Sequence, residues 1–264
     1  MDPKNARAIV EVREGEHPLD LLKRCGGYYE CPRHSFDSNR LGPLVGYAGR
    51  YKGSDGKDHQ YVGDVYANFA RAEEYPHVLH HWACSMELQP SFDELARKAD
   101  VFCGAPMGGL AFAGVLALVW KRRYIYLEKK VTALATSGSR EKSELVFGRH
   151  EVRAGEKVVI VEDVLNNFST TDQIITLIRN SGASVIGIVG LLNRSLRIED
   201  TYTEYPVVAL VRKKIEEYRQ DDPSVVEDIA KGNVVWKPKD HWPELTRAME
   251  CSDLKLIGTM PFNS

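Results

Sequence analysis

The chain has 264 residues, 43% of them hydrophobic, which is enough for one large domain or for one domain with an added lobe. Its 35 basic and 37 acidic residues leave a formal net charge of −2, so the composition gives no support for a general nucleic-acid or membrane-surface binder. No apolar run approaches the length of a membrane span, and residues 1–12 lack the apolar region of a secretory signal, which together predict a cytoplasmic protein.

The chain before residue 90 is rich in Gly and Tyr and predicts a small lobe that contains a β-hairpin. Two β-favouring runs, at 44–51 and 60–66, flank the sequence KGSDGKD, whose Gly and Asp residues suit a turn. Helical pieces are predicted at 18–25 and 76–86. We therefore expect a hairpin with short helices around it.

The five cysteines are odd in number and irregularly spaced, which argues against a disulfide framework. Cys25, Cys31 and His34 form the only grouping that resembles a set of metal ligands, but they lack the tight Cys-x-x-Cys pairs of zinc sites. Ordinary loop residues are the favoured interpretation, and we predict no protein-held metal site there.

After residue 90 the chain alternates short apolar strands with helices. A helix is predicted at 91–99, with Ser91 as its N-cap and Glu94 three residues later. The segments that follow, in order, are strand DVFCGA, helix GGLAFAGVLALVWK, strand RRYIYLEKK, strand EKVVIVED, helix STTDQIITLIRNSG ending at Gly182, strand ASVIGIVGLLNR and strand YPVVALVRK. This alternation predicts an α/β fold with a doubly wound parallel sheet. The segment 223–245 predicts a short helix followed by an irregular Pro- and Trp-containing stretch, within an extension that is helical and irregular.

Two strand-to-helix junctions carry residues that suit phosphate binding. In the first, FCGAPMGGLAFAG, Gly104 ends the strand, and Gly108 and Gly109 open the helix. Glycines let the backbone approach a ligand closely, and free amides at a helix start attract an anion. Tight packing of the helix on the strand explains the same glycines equally well.

The second junction, VVIVEDVLNNFSTT, places Glu162 and Asp163 at the end of a buried strand. Side-chain donors follow at Asn166, Asn167, Ser169, Thr170 and Thr171, directly before the helix. The donors predict a phosphate cradle, and the acids beside it suit sugar hydroxyls or Mg²⁺. Helix capping by Asp163 or Ser169 accounts for one residue but not for adjacent acids.

Two common nucleotide motifs are missing. The sequence GAPMGGLA lacks the Lys and hydroxyl pair of a P-loop, and the G-x-G-x-x-G fingerprint is absent from this strand–helix turn. Two anion sites beside an acidic pair describe a sugar that carries phosphates at both ends.

The segment VVIVEDVLNNFSTT resembles the phosphoribosyl-pyrophosphate motif of type I phosphoribosyltransferases, and VFCGAPMGGLAFAGVLAL resembles the pyrophosphate loop of their orotate-specific members. The intervening YIYLEKK also fits in order, and the N-terminal hairpin resembles that subfamily's hood. The resemblance implies a glycosyltransferase that moves ribose 5-phosphate from phosphoribosyl pyrophosphate to orotate or a related base. It also implies Mg²⁺ as cofactor and a homodimer. The charge balance and the short apolar runs predict neither nucleic-acid nor membrane partners.

The resemblance further implies roles for individual residues. Glu162 and Asp163 would bind the ribose 2- and 3-hydroxyls, with Asp163 counted among the catalytic residues. The residues that would wrap the 5-phosphate are Asn166, Asn167, Phe168, Ser169 and Thr170. Those that would contact pyrophosphate, with Mg²⁺ between it and the ribose, are Ala105, Pro106, Met107 and Gly108. The catalytic cations would be Lys129 and Lys130, with Arg140 or Lys142 arriving from a mobile loop at 135–144.

The resemblance assigns less specific roles to the residues expected near the base. Arg194 would face the base or stabilise a dimer. Tyr61, Tyr66, Asn68 and Phe69 are candidates for base contacts, or they fill the hood's own small core. The predicted division is a hood at 1–90, an α/β core at 91–215 and a C-terminal extension at 216–264.

The sequence departs from the family pattern in two places. Phe168 and Ser169 stand where the phosphate loop normally carries Gly, and Leu127 replaces the Arg of the cationic run. Phe enters positive φ with difficulty, so the loop is expected to bend differently or to bind another group. These departures keep two alternatives open: a non-catalytic nucleotide sensor of the same fold, and an enzyme with a changed acceptor.

Overall fold

The computed structural model describes residues 9–133, 142–195 and 201–257. Within them the helices are α1 (Pro18–Arg24), α2 (Ala70–Glu73), α3 (Pro76–Glu87), α4 (Pro90–Lys98), α5 (Gly109–Trp120), α6 (Ser169–Asn180), α7 (Val226–Ala230) and α8 (Trp242–Ile257). The strands are β1 (Tyr28–Glu30), β2 (Leu44–Lys52), β3 (Asp58–Gly63), β4 (Val65–Ala67), β5 (Val101–Gly104), β6 (Arg123–Tyr126), β7 (Glu128–Ala133), β8 (Lys142–Val146), β9 (Lys157–Leu165), β10 (Ser184–Asn193), β11 (Thr201–Tyr202), β12 (Tyr205–Arg212) and β13 (Val234–Val235).

The chain folds as two compact units. The α/β unit contains the residues up to Pro18 together with Ala72–Lys214, and the hairpin unit contains Leu19–Arg71 together with the residues from Ile215 onward. The two units group the chain differently from the three-part division expected from the sequence. That division stays a prediction. Helix α3 joins the α/β unit, and the C-terminal segment joins the hairpin.

The α/β unit is built on a six-stranded sheet in the order β11-β12-β10-β9-β5-β6. All neighbouring pairs are parallel except the edge pair of β11 and β12. In β9 the consecutive residues Val158 to Val161 are all fully buried, which is the mark of a strand covered on both faces. The predicted α/β fold with a parallel sheet is confirmed.

The connections of the sheet create a crevice between two neighbouring strands. Strands β5 and β9 are paired, with Gly104 opposite Val161. The chain leaves β5 through α5 towards β6, but it leaves β9 through α6 towards β10, on the other side of the sheet. Ligands of open α/β sheets bind at such a switch point, beyond the carboxyl ends of the strands. Both predicted phosphate junctions lie there.

The hairpin unit contains the predicted β-hairpin. Strands β2 and β3 are antiparallel, and Gly56 at φ 75° shapes the turn between them. Parallel to β2 runs β13, while β4 leaves the hairpin to pair with β1. The predicted run 60–66 is therefore split between two small sheets.

Several local expectations need correction. Ser91 is not a cap, because α4 begins at Pro90 after Gln89, and proline suits the first helical position. The predicted strand RRYIYLEKK is two strands, and helix α8 begins at Trp242, inside the segment 232–245 that was expected to be irregular. Helix α6 does end beside Gly182, which has φ 75°. Among the described helices, none has the length and apolar character needed to cross a bilayer.

Candidate functional site

The loop between β5 and α5 lies directly against β9. The Ala105 amide donates to the Val161 carbonyl at 2.8 Å, and the Gly109 amide donates to the Ala105 carbonyl at 3.0 Å. A Cβ atom on Gly109 would overlap the Val161 carbonyl, so only glycine lets α5 start this close to the strand. The Pro106–Met107 peptide bond in this loop is cis.

Gly108 brings the two predicted junctions into contact. A Cβ atom at this position would fall on the carboxyl group of Asp163. The backbone of the first loop therefore touches one of the two acids that follow β9. Residues more than fifty positions apart in the sequence thus meet at the switch point of the sheet.

The acidic pair is half-buried and tied to its own backbone. An Asp163 carboxylate oxygen accepts the Val164 amide hydrogen at 2.8 Å, and Glu162 accepts the Asp163 amide hydrogen at 3.3 Å. Burial, and after it the negative charge of Asp163, raises the pKa of Glu162 to about 8, while Lys129 acts in the opposite direction. A ligand or cation that compensates these charges is therefore favoured here.

The loop after the acids forms a small cradle. Its cavity of about 60 Å³ is lined by Glu162, Val164, Leu165, Asn166, Asn167, Phe168, Ser169, Thr170 and Thr171. Asn167 accepts the Ser169 amide hydrogen at 3.1 Å. The N-cap position of α6 is Phe168, whose side chain makes no cap hydrogen bond, so neither Asp163 nor Ser169 is the N-cap residue and the capping explanation for them is wrong. The predicted cradle residues all line one cavity.

Phe168 itself adopts the left-handed conformation, with φ 60° and ψ 10°. That region costs a non-glycine residue about 1–2 kcal/mol. The Phe168 ring is buried and stacks on Tyr202, with ring centroids 4.1 Å apart and planes 9° from parallel. The loop thus keeps a conformation that glycine adopts readily, and the expectation that Phe avoids positive φ is wrong.

The cationic run lies on the hairpin of β7 and β8. Lys129 and Lys130 are both exposed, and they pair in register with Leu145 and Glu144. Lys129 is close enough to act electrostatically on Glu162. Leu127, where the resemblance led us to expect Arg, is fully buried in the hydrophobic core.

Two predicted cations of the loop cannot be placed. Arg140 lies outside the described residues, as does most of the predicted mobile segment 135–144. Lys142 opens β8, and its side chain is outside the described part of the chain.

Arg194 follows β10 and lies beside the cradle. Its amide donates to the Leu165 carbonyl at 2.9 Å, and the residue is half-buried. Among the candidate base contacts of the hairpin unit, Phe69 is buried. The Tyr61 ring centroid lies 4.8 Å from that of Tyr51, and the Tyr66 ring centroid lies 6.3 Å from that of Trp242. Their packing favours the interpretation that they form the unit's own core.

The cysteine grouping of the hairpin unit consists of structural residues. Cys25 and Cys31 are buried, and the Cys31 thiol donates to the Gly42 carbonyl at 3.2 Å. His34 is exposed beside Asp37. Across the described ranges, no three His, Cys, Asp or Glu side chains are grouped so that they hold a metal ion.

Tyr202 was not among the residues predicted from the sequence. It lies on the edge strand β11, far along the chain from the cradle that it touches. No motif surrounds it, and a tyrosine that follows a polar stretch gives no signal of its partner.

Comparison with known proteins agrees with this arrangement. Residues 86–227 match the phosphoribosyl transferase domain family. Adenine phosphoribosyltransferase of Ruminiclostridium cellulolyticum is 31% identical over 48% of this chain and 80% of its own length. Orotate phosphoribosyltransferase of Caldanaerobacter subterraneus subsp. tengcongensis is 26% identical over 60% of this chain and 75% of its own length.

Among solved structures, orotate phosphoribosyltransferase from Aeropyrum pernix superposes with a TM-score of 0.48 at 18% identity, over 81% of this chain and 98% of that one. The family match spans more than half of the chain and takes in the Gly108 loop, the acidic pair and the cradle. The chain therefore belongs to the phosphoribosyltransferase family.

Proposed function

We propose that this phosphoribosyltransferase moves ribose 5-phosphate from phosphoribosyl pyrophosphate to orotate or a related base, with release of pyrophosphate. The observation that carries the proposal is the approach of the Gly108 backbone to the Asp163 carboxylate at the switch point. It sets a glycine loop, two acids and a small polar cradle side by side. Such a row suits a sugar with an anion at each end.

The proposed roles follow from the chemistry of each group. Glu162 and Asp163 accept hydrogen bonds from the ribose hydroxyls, and the cradle at the start of α6 takes the 5-phosphate. The loop 105–108 binds pyrophosphate through its backbone. As the bond from the anomeric carbon to pyrophosphate breaks and the bond to the base nitrogen forms, negative charge grows on the leaving group, and Lys129 would stabilise it. Together these residues orient the donor, with its 5-phosphate and its pyrophosphate bound at separate places.

The acidic pair also fits Mg²⁺. Two adjacent carboxylates, one with a raised pKa, form an oxygen donor set whose repulsion a divalent cation relieves. Glu162 and Asp163 would hold the ion, directly or through the ribose hydroxyls. When bound, it would neutralise charge on the pyrophosphate.

The choice of acceptor rests on the relatives. The orotate-named relative aligns over 60% of this chain, against 48% for the adenine-named one, and this greater extent supports orotate. Adenine is the second candidate, because the adenine-named relative has the higher identity, 31% against 26%.

The decisive experiment follows pyrophosphate release from phosphoribosyl pyrophosphate and Mg²⁺ with orotate, uracil, adenine, guanine or hypoxanthine. Release with orotate alone is the expected result, and release with adenine alone would assign the second candidate. Tight nucleotide binding without pyrophosphate release in the presence of any of these bases would instead identify a nucleotide sensor.

The same assay tests the acidic pair. Asp163→Asn should weaken donor binding while the fold remains intact. Asp93→Asn, at a half-buried position of α4 where the carboxylate pairs with Arg97, is the matched control and should leave binding unchanged. Unaltered affinity in Asp163→Asn would remove the assigned hydroxyl contact. The homodimer and the cytoplasmic location stay predictions, and sedimentation of the purified chain tests the first.

A further inference from the structure

The first turn of α6 is attached to the edge strand β11 at two points. The Phe168 ring, before the turn, stacks on the Tyr202 ring. Asp172, at the end of the turn, accepts a hydrogen bond from the Tyr202 hydroxyl, which lies 2.8 Å from both carboxylate oxygens. One tyrosine therefore touches the residues on both sides of Ser169, Thr170 and Thr171.

The stack has a specific consequence for the backbone. Phe168 holds φ 60° and ψ 10°, a conformation that disfavours a bulky side chain. Both rings are buried, with exposed fractions of 5% for Phe168 and 8% for Tyr202. If Phe168 returned to negative φ, its ring would leave Tyr202 and the apolar core around it. The parallel stack thus favours the left-handed conformation.

The Tyr202 hydroxyl also fixes the position of the negative charge on Asp172. Asp172 lies in the first turn of a helix whose start lines the cradle. A carboxylate in that position would repel a phosphate in the cradle. The hydrogen bond from Tyr202 instead holds the Asp172 carboxylate at β11.

We infer that Tyr202 is a positioning residue for the phosphate cradle: its ring maintains the left-handed Phe168, and its hydroxyl retains Asp172. It takes over the task that glycine performs elsewhere by its own conformational freedom. The inference rests on the proposed function, because it assigns a phosphate to that cradle. Tyr202 acts on binding of the donor through Phe168 and takes no part in bond breaking.

The test is a double-mutant cycle on the full-length protein. The variants are Tyr202→Ala, Phe168→Gly and the double variant, each assayed for KM of phosphoribosyl pyrophosphate and for kcat. Tyr202→Ala should raise KM about tenfold, the factor that corresponds to the cost of the left-handed conformation, with kcat within about twofold of the parent. Because glycine adopts that conformation without a stack, Tyr202→Ala should raise KM less than about twofold in the Phe168→Gly background.

Two further variants separate ring from hydroxyl and positioning from stability. Tyr202→Phe keeps the stack and should raise KM less than about threefold. Tyr205→Ala, a buried tyrosine opposite Tyr202 in the edge pair, should lower thermal stability without changing KM. Inorganic phosphate binding, followed by calorimetry, should show the same order of variants.

The outcomes are distinguishable. A KM rise of equal size in both backgrounds, or no rise for Tyr202→Ala, overturns the inference while leaving the proposed function in place. A fall in kcat with unchanged KM overturns it as well. If the parent protein neither binds phosphoribosyl pyrophosphate nor releases pyrophosphate, the proposed function fails, and the positioning role falls with it.

Discussion

At the residue scale, Gly108 packs so closely against Asp163 that no room is left for a methyl group. Gly108→Ala should therefore displace the acid or the loop and raise the Kd of phosphoribosyl pyrophosphate at least about tenfold, as expected when reacting groups are misplaced. Calorimetric titration measures the change.

Gly114→Ala is the matched control for that substitution. It lies inside the same helix, and its added methyl group would lie 3.7 Å from the Tyr124 ring, an ordinary contact. It should leave binding intact and stabilise α5 by about 0.5–1 kcal/mol. Equal binding by the two alanine variants would contradict the tight approach at Gly108.

A second residue-scale prediction concerns the buried charge of Glu162. Its pKa in the folded protein, about 8, lies above the ordinary value of 4.5, so the folded state binds the extra proton between these values. The free energy of unfolding of the ligand-free protein should therefore fall as pH rises from about 4.5 to about 8. Urea unfolding across this range measures the slope.

Glu162→Gln should reduce this slope, because the glutamine carries no proton to lose. Glu94→Gln is the control. Glu94 is exposed on helix α4, where Lys98 lowers the pKa of its carboxyl group, so the slope in this range should be unchanged. An identical slope in Glu162→Gln and the parent would show that another group is responsible.

At the element scale, strand β7 places on opposite faces two lysines for which the sequence predicts the same role. Side chains alternate along a strand, so Lys129 and Lys130 lie on opposite faces of the β7–β8 hairpin. Lys129 is the one that acts on Glu162. Lys129→Ala should lower kcat/KM for phosphoribosyl pyrophosphate by about 10-fold to 100-fold, and Lys130→Ala by less than about threefold. Steady-state pyrophosphate release compares them, and a larger loss for Lys130→Ala would reverse the assignment.

The elements around the site were predictable because each has a local cause. The apolar run before Glu162, the donors after it and Gly182 at the helix end mark β9 and α6 in the sequence alone. Caps and breaks were less predictable. Ser91 has the chemistry of a cap, but the Gln89–Pro90 pair starts the helix one residue earlier. Leu127 looks like part of a continuous strand, yet it is the buried break between β6 and β7.

The contacts that complete the site depend on tertiary structure. Gly108 meets Asp163 only because β5 and β9 are neighbours, and the sequence predicts a parallel sheet without its strand order. Phe168 illustrates the same limit. Its sequence suggests strain, whereas the compensating ring comes from β11.

At the scale of the whole molecule, the hairpin unit is assembled from two distant segments. Arg40 joins them: its guanidinium contacts Asp64 at 2.5 Å and Asp228 at 3.0 Å, with its side chain 8% exposed. Both carboxylates raise the pKa of Arg40 further above its ordinary value, although burial opposes them. Arg40→Ala should destabilise the unit by about 1.5–3 kcal/mol, because Asp64 then keeps only Arg33 and Asp228 keeps only Asn233, and the bonds between the two segments through Arg40 are lost.

Chemical denaturation followed by Trp fluorescence measures that loss. Arg33→Ala is the control, since Arg33 is 42% exposed and its partner Asp64 keeps Arg40. It should cost less than about 1 kcal/mol. Similar losses in the two variants would show that the Arg40 pairs do not hold the segments together.

The divided hairpin unit also has a consequence for synthesis of the protein. Arg40 leaves the ribosome 188 residues before Asp228, which at about 5–20 residues per second is a delay of roughly 10–40 s. The α/β unit can complete its sheet during that interval, while β2 still awaits β13. A nascent chain that has emerged as far as residue 214 should therefore carry a folded α/β unit and an unfinished hairpin, with an open strand edge available to chaperones.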